Sequence, residues 1–398
     1  VNSDELVDIN WPLEEIASDQ FQITGGWGGG TFVGSVGVTL NNLSIKNFFK
    51  KGAWRPYPMG QNQRLSISAQ TNGTYYKAFA ISFTDPWMGG RKPNSFTISA
   101  HYSDENNAYY AWQKGTRYFR TAGVAAGLGK RLDWPDPYFT FYAEASYERY
   151  MLKDWNTFVL KNGAANLLSI RLVLGRNSVD QPIYPRRGSD FSVSVQLTPP
   201  YSLWDGKDYK STALSEQERY NWIEFHKWML KGQWFTPLTR NGNLVLMARA
   251  EMGYLGHYNK NKVSPFERFE VGGDGMTGYN MYGIDIISMR GYDDGALDPV
   301  GSNYSCAYNK YTMELRYPLL LKGQTNIYVL GFLEGGNGFT SWKELSPFKI
   351  KRSAGIGVRL FLPVVGMVGV DWGWGFDPAA GQTKRSGSHI HFTMGMQF

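Results

Sequence analysis

The sequence predicts an all-β protein, a 16-stranded antiparallel transmembrane β-barrel, and three observations support this. Segments of about ten residues repeatedly alternate apolar and polar side chains, as expected of strands with one lipid face and one polar face. The 398 residues include 14 Trp, 25 Tyr, 23 Phe and 46 Gly, a composition typical of aromatic girdles and tight turns. No run of 18 or more apolar residues occurs, which excludes a transmembrane helix.

The last strand, residues 388–398, shows the alternation most clearly. Five apolar side chains fall on one face: Ile390, Phe392, Met394, Met396 and Phe398. His389, His391, Thr393, Gly395 and Gln397 fall on the other. A strand that is apolar outside and polar inside, and that ends on Phe, is typical of the closing strand of an outer-membrane barrel. The alternative is the final strand of a soluble sandwich, which the number of similar strands disfavours.

Fifteen earlier segments have the same period. They are 21–27, 31–40, 65–69, 79–83, 96–102, 118–130, 138–149, 166–175, 190–198, 219–231, 243–254, 306–317, 325–335, 353–361 and 365–375. With the last strand they make an even number, as bacterial spanning barrels have. Residues 1–19 differ, because they are acidic and lack aromatic girdles. We therefore divide the chain into the end of a soluble domain at 1–19 and a barrel at 20–398.

The charge and the cysteine content argue against a nucleic-acid-binding protein and against a disulfide-stabilised one. The formal net charge is +7, but Lys and Arg lie in short connections and form no stripe, so nucleic-acid binding is disfavoured. Contact with lipid headgroups explains these cations better. Cys306 is the single cysteine, which excludes an internal disulfide.

Two connections are unusually long. Residues 41–62 contain a possible short interfacial helix at 42–49. The loop between the eleventh and twelfth predicted strands, 256–304, contains Gly272-Gly273 and Met289-Arg290-Gly291-Tyr292. If this loop folds inward, the Arg290 guanidinium requires a carboxylate partner. Glu314 and Glu334 lie on the two following strands and are suitably placed. The alternative is a solvated arginine in an exposed loop.

These motifs resemble the BamA family of outer-membrane protein assembly factors along nearly the whole chain. The sixth-loop signature Val-Arg-Gly-Phe/Tyr resembles Met289-Arg290-Gly291-Tyr292, and the preceding glycine pair resembles Gly272-Gly273. Residues 80–87 resemble the family's fourth strand with its Asp-Pro-aromatic turn. The resemblance implies that residues 1–19 end a periplasmic POTRA domain. It also implies that Arg290 lies inside the barrel, tied to Glu314 and Glu334.

The resemblance further implies a location, a task and partners. The chain would be integral to the bacterial outer membrane, with its N-terminal end in the periplasm, and would fold and insert other barrel proteins. Its partners would be unfolded outer-membrane protein clients, periplasmic chaperones, accessory outer-membrane lipoproteins and the lipid bilayer.

The seam between the first and last strands is the predicted working part. Its candidate residues are Phe21, Ile23, Gly25, Gly26, Trp27, Met394, Gly395, Met396 and Phe398. Glycine weakens strand pairing, so we expect this seam to open laterally. A client strand can then pair with the freed backbone groups of strand 1 by β-augmentation.

Three other functions are weighed against this one. An enzyme is disfavoured because no hydrolase, zinc-protease or phosphate-loop motif occurs. His389 and His391 lack an evident third metal ligand, and 293–298 lacks EF-hand spacing, so neither a metal nor a cofactor is expected. A passive porin would not need the Arg290 motif. A related translocase, serving two-partner secretion or autotransporter assembly, remains open.

Overall fold

The computed structural model describes residues 20–28, 31–54, 57–90, 92–108, 114–275, 283–301, 304–322, 325–362 and 366–394. The predicted junction at 1–19 lies outside these residues, and so do Gly395, Met396 and Phe398 of the predicted seam.

In the part of the chain that the structure describes, eighteen strands make up nearly all of the regular structure. They are β1 (Gln20–Gly28), β2 (Thr31–Leu43), β3 (Gln63–Thr71), β4 (Tyr76–Asp85), β5 (Asn94–Asn106), β6 (Tyr118–Arg131), β7 (Phe139–Lys153), β8 (Gly163–Asn177), β9 (Gly188–Leu197), β10 (His226–Pro237), β11 (Val245–Gly256), β12 (Phe269–Val271), β13 (Asp285–Ile287), β14 (Ala307–Lys322), β15 (Thr325–Phe339), β16 (Lys351–Leu362), β17 (Gly366–Pro378) and β18 (Arg385–Met394). One α-helix, α1 (Glu216–Tyr220), and three 3₁₀ turns (Ile45–Asn47, Tyr201–Leu203 and Trp342–Glu344) accompany them.

The main sheet has sixteen strands in chain order, β1 to β11 followed by β14 to β18, and its neighbours are antiparallel. This confirms the predicted antiparallel, nearly all-β fold. The short strands β12 and β13 lie in the long loop and pair with each other in parallel. Within the described residues no ladder joins β1 to β18, so the sheet is not closed at this seam.

The sheet has an apolar outer face and a polar inner face because side chains alternate along each strand. Val38, Ile67 and Ile81 lie side by side on β2, β3 and β4 and are exposed. On β14, Met313 is 50% exposed, whereas its neighbour Glu314 is 5% exposed. The outer face therefore suits lipid, and the inner face suits water and charge.

The prediction of a strand at 219–231 is wrong in its first half. Residues Glu216–Tyr220 form α1, and β10 begins at His226. The Ser215 side chain accepts a hydrogen bond from the Glu218 backbone, and the Glu218 side chain accepts one from the Ser215 backbone. This capping box fixes a helix start that apolar alternation does not reveal.

In the part of the chain that the structure describes, no helix has the length and apolar character to cross a membrane.

The long loop supplies much of the largest apolar core. Phe266 stacks on Tyr150 of β7 at a ring-centroid distance of 4.4 Å and packs edge-on against Phe158 at 4.9 Å. Phe269 packs against Tyr308 of β14 at 4.8 Å. All of these side chains are buried, so the loop packs against two separate parts of the wall, one around β7 and one at β14.

Candidate functional site in the barrel lumen

The glycine pair shapes the loop before it reaches the lumen. Gly273 has φ +72°, a conformation that L side chains rarely adopt. A Cβ atom on Gly272 would lie 2.2 Å from the Asp293 carbonyl oxygen. The Met289 amide donates to the Gly273 carbonyl at 2.9 Å. The two arms of the loop therefore approach closely, and this presents residues 289–292 to the inner wall.

Arg290 is buried among carboxylates of the wall. Its Nη2 lies 2.7 Å from Glu314 Oε1 on β14 and 2.7 Å from Glu334 Oε1 on β15. Its Nε lies 3.1 Å from Glu334 Oε1, and its backbone amide donates to Glu334 Oε2 at 2.8 Å. The guanidinium stacks on the Phe332 ring at 3.7 Å. The structure thus brings together the three charged residues singled out in the sequence.

Further charges surround this contact. Asp371 of β17 lies 3.6 Å from Arg290 and 2.7 Å from Arg359. Arg316 and Lys310 reach the two glutamates at 2.7 and 3.8 Å. We call Arg290, Lys310, Glu314, Arg316, Glu334, Arg359 and Asp371 the charge cluster. Its cations and anions offset one another, which lowers the cost of burying each charge. Sequence reasoning missed Asp371, although its place on the inward face of a strand was a usable signal.

Gly291 fits the loop tightly against the last strands. Its φ is +85°, and an added Cβ atom would lie 2.9 Å from the Gly375 amide nitrogen. Its amide donates to His391 Nε2 of β18 at 2.8 Å. The Tyr292 hydroxyl donates to the Arg352 carbonyl at 2.8 Å. The loop motif therefore contacts β14, β15, β16, β17 and β18 together.

A second ionic anchor lies on the opposite wall. Lys227 Nζ of β10 lies 2.6 Å from Asp285 Oδ2 and 3.4 Å from Glu267 Oε2, both in the long loop. Tyr150 of β7 donates to Glu267 at 3.0 Å. Sequence reasoning missed this anchor, because the predicted strand at 219–231 was irregular and Lys227 had no obvious inward register. The charge cluster and this anchor thereby hold the loop from two sides of the lumen.

Two carboxyl groups lie close together in the loop. Asp298 is 7% exposed, and its Oδ1 accepts hydrogen bonds from the Val271 amide at 3.2 Å and the Ser305 hydroxyl at 2.5 Å. Burial, with a smaller contribution from the charge of Glu270, raises the pKa of Asp298 to about 8. Burial, followed by the charge of Asp294, raises the pKa of Glu270 to about 7.

An open cavity of about 510 Å³ lies beside the loop, on the side away from the charge cluster. It lies between β5–β10 and the loop, and its polar lining includes Glu144, Arg171, Lys231 and the pair His101–Glu148, separated by 3.2 Å. The lumen is therefore filled with buried charge on one side and is open and polar on the other.

The predicted seam residues are only partly described. Phe21, Ile23, Gly25, Gly26 and Trp27 belong to β1, which pairs with β2 along its whole length. Met394 ends β18 opposite Val368. The structure does not bring these two sets together in a ladder.

Comparison with known proteins gives a consistent family match. The model for the Omp85 superfamily domain matches residues 59–398. The outer membrane protein assembly factor BamA of Neisseria meningitidis serogroup B is 23% identical over 334 residues, which cover 79% of this chain and 34% of BamA. The chain therefore spans about a third of the length of this curated relative.

Solved structures show the same fold. BamA from Haemophilus ducreyi lacking POTRA domains 1–3 has a TM-score of 0.65 at 17% identity, covering 94% of this chain and 68% of that chain. CdiB from Escherichia coli has a TM-score of 0.58 at 12% identity, covering 96% of this chain and 63% of that chain. CdiB from Acinetobacter baumannii has a TM-score of 0.55 at 13% identity, covering 95% and 60%.

Replacing Arg290 with Ala should release the loop from the wall. Glu314 and Glu334 would remain buried beside fewer cations, and breaking a buried pair in this way costs about 3–5 kcal/mol. We expect residues 283–301 to lose hydrogen-exchange protection. Arg352→Ala is the matched control, because its side-chain bond to Asp377 is exposed and such surface ion pairs add little stability. Equal protection in the two variants would contradict this role for Arg290.

Replacing Gly291 with Ala tests the close approach to β17. Gly301 has a similar φ, +78°, but a Cβ atom there would have nothing within 4 Å. Gly301→Ala therefore adds the backbone strain alone, about 1 kcal/mol. We expect Gly291→Ala to lower the unfolding temperature clearly more than Gly301→Ala does. Similar losses in both variants would show that contact with β17 is unimportant.

The loop should become less stable as pH rises. Because the pKa of Asp298 is raised in the folded loop, the folded loop binds more protons than the unfolded loop between about pH 4 and pH 8. The stabilisation of the folded loop by protonated Asp298 is therefore fully present below about pH 4, and it is lost as the pH rises to about 8. Asp298→Asn keeps the acceptor oxygen and removes the charge, so hydrogen exchange of 269–298, corrected for intrinsic rates, should depend less on pH. Asp133→Asn, in the exposed turn after β6, is the control, and exchange of 269–298 should then depend on pH as in the parent chain.

Proposed function

Because this chain belongs to the Omp85 superfamily, we propose that it is an outer-membrane assembly factor that folds and inserts other β-barrel proteins through the seam between β1 and β18. The observation that carries this proposal is the missing ladder at that seam among the described residues. Every other pair of neighbouring strands in the main sheet is hydrogen-bonded, whereas the described parts of β1 and β18 share no ladder.

An open edge in a membrane supplies the driving force for strand addition. Backbone N–H and C=O groups that face lipid without partners cost several kcal/mol each. A client strand that pairs with β1 satisfies these groups and forms its own hydrogen bonds at the same time. Gly25 and Gly26 lie in β1 and weaken its side-chain packing against a neighbour. The process needs no nucleotide and no catalytic group.

The loop motif supports the seam from inside the lumen. Gly291 donates to His391 of β18, and Arg290 is fixed to β14 and β15 by two glutamates. The loop therefore stays bonded to the inner face of β14, β15 and β18 when the seam opens. In this proposal the loop acts as a latch: Gly272, Gly273 and residues 289–292 form its moving side, and Glu314 and Glu334 form its fixed side.

The same proposal implies a location for the N-terminal segment and a set of partners. Residues 1–19 would end a POTRA-like domain in the periplasm, followed by the barrel from residue 20. Partners would be unfolded outer-membrane protein clients, periplasmic chaperones and accessory outer-membrane lipoproteins. The similarity to a named assembly factor, BamA, supports these assignments.

A second candidate is a translocase dedicated to one secreted partner or to autotransporters. The open polar cavity of about 510 Å³ favours it, because an extended chain in transit needs hydrated space inside the wall. The two candidates differ in whether the seam or the lumen carries the client.

Locking the seam should stop client folding. With Cys306 replaced by Ala, cysteine at Gly25 is combined with cysteine at Met394 or at Met396, and the pair that oxidises is kept. We expect newly made outer-membrane barrels to remain unfolded while the seam is locked, and to fold after reduction, as followed by their heat-dependent gel mobility.

The matched control uses cysteines at Gly25 and Gly34, which are partners in the existing β1–β2 ladder. This bond leaves the seam free, so client folding should continue. Normal client folding in the seam-locked protein would refute the assembly proposal. If a secreted partner still crossed the locked barrel, the translocase would be favoured.

A further inference from the structure

The connection between β2 and β3 has an exposed aromatic surface. Phe49 is 92% exposed, Trp54 54% and Phe48 43%. Their rings contact one another, with Phe48 5.3 Å from Phe49 and 5.1 Å from Trp54, measured between centroids. Ile45 and Met59 add further exposed apolar area. We call the described residues 44–54 and 57–62 the aromatic foot. Exposed apolar clusters of this kind mark contact surfaces.

The foot is held in a defined shape rather than trailing as a loose loop. The Ser44 amide donates to the Pro58 carbonyl at 2.9 Å, and the Gly60 amide donates to the Asn42 carbonyl at 3.0 Å. The Trp54 indole donates to the Phe48 carbonyl at 3.0 Å. These bonds return the chain to its starting point, so the aromatic side chains are presented outward by a stable base.

The charge of the foot is entirely positive. Its charged residues are Lys46, Lys50 and Lys51, and all three are exposed. The sequence has no Asp or Glu from Gln20 to Thr84, so β1, β2, β3 and the foot carry no carboxylate, and the first one after them is Asp85, the last residue of β4. Such a surface is complementary to an anionic one and has no internal anion to neutralise it.

The foot continues the outer, lipid-facing surface of the barrel. The exposed apolar residues Val38 and Ile67 lie in register on β2 and β3, the two strands that lead to the foot. The turns after β4 and β6 reach the same end of the sheet and also expose tryptophans, Trp87 at 50% and Trp134 at 82%. Tryptophans gather at the boundary between acyl chains and headgroups, and lysines beside them reach the headgroups.

We propose that the aromatic foot binds the membrane surface: Phe48, Phe49 and Trp54 enter the headgroup boundary of the leaflet at this end of the barrel, and Lys46, Lys50 and Lys51 bind anionic phospholipid. In the orientation proposed above this is the periplasmic leaflet. The foot connects the second and third strands from the seam, so it ties the bilayer to the strands that a client would meet first. This binding depends on the barrel spanning a membrane and not on the assembly function.

The test is the depth of a fluorophore in lipid. The full chain, with Cys306→Ala and Phe49→Cys, is labelled with an environment-sensitive nitrobenzoxadiazole dye. It is then reconstituted into vesicles of phosphatidylcholine, alone or mixed with phosphatidylglycerol. Lipids brominated near the headgroup end of the acyl chain serve as quenchers. Arg240→Cys is the matched control, because it is exposed in the polar turn after β10, at the same end of the sheet.

We expect the label at position 49 to lose most of its fluorescence and the label at position 240 to keep most of it. Reversing the charges, as Lys46→Glu with Lys50→Glu and Lys51→Glu, should reduce quenching at position 49 in vesicles with phosphatidylglycerol. A label at position 49 that stays unquenched in both kinds of vesicle would overturn the proposal. A label that is quenched only after a second protein is added would also overturn it. Client folding is not measured, so failure of the seam experiment leaves this result unaffected.

Discussion

A buried guanidinium is the constraint on which the rest of the lumen depends. Arg290 remains charged under all ordinary conditions, and a charge removed from water needs partners close by. Glu314 and Glu334 supply them at 2.7 Å, and they are in turn neutralised by Arg316 and Lys310. The network is stable only when the loop is inside the barrel. The position of the loop therefore depends on the charges of the wall, and the burial of those charges depends on the loop.

This arrangement divides the barrel into two unequal halves. The wall from β14 to β18 is packed against the loop motif, with Gly291 against β17 and its amide bonded to His391. The wall from β5 to β10 borders an open polar cavity, and Lys227 of β10 and Glu224 just before it form ion pairs with the loop. The seam between β1 and β18 lies beside the packed half of the barrel, and the open polar cavity lies away from it.

The outer surface of the sheet and its lumen differ in the charges that they carry. The basic, aromatic connection after β2 carries no carboxylate, whereas the loop on the lumenal side is rich in them, including Glu270 and Asp298. Charge is thus distributed by environment: cations face the lipid boundary, and paired ions fill the lumen. Such a distribution is expected where one face of a sheet meets lipid and the other meets water.

The sequence by itself determined the sheet, because strand alternation is a local property that each segment shows without its neighbours. It also placed Glu314 on an inward face and Glu334 near the outer end of the following strand, and the motif around Arg290 directed attention to them. It did not reveal α1, where a capping box overrode the apolar pattern. Only the tertiary structure decided that Asp371 and His391 meet the loop motif and that Lys227 anchors its other side. These residues lie 40 to 100 positions from their partners, and strand register, barrel diameter and loop path act together to bring them within bonding distance.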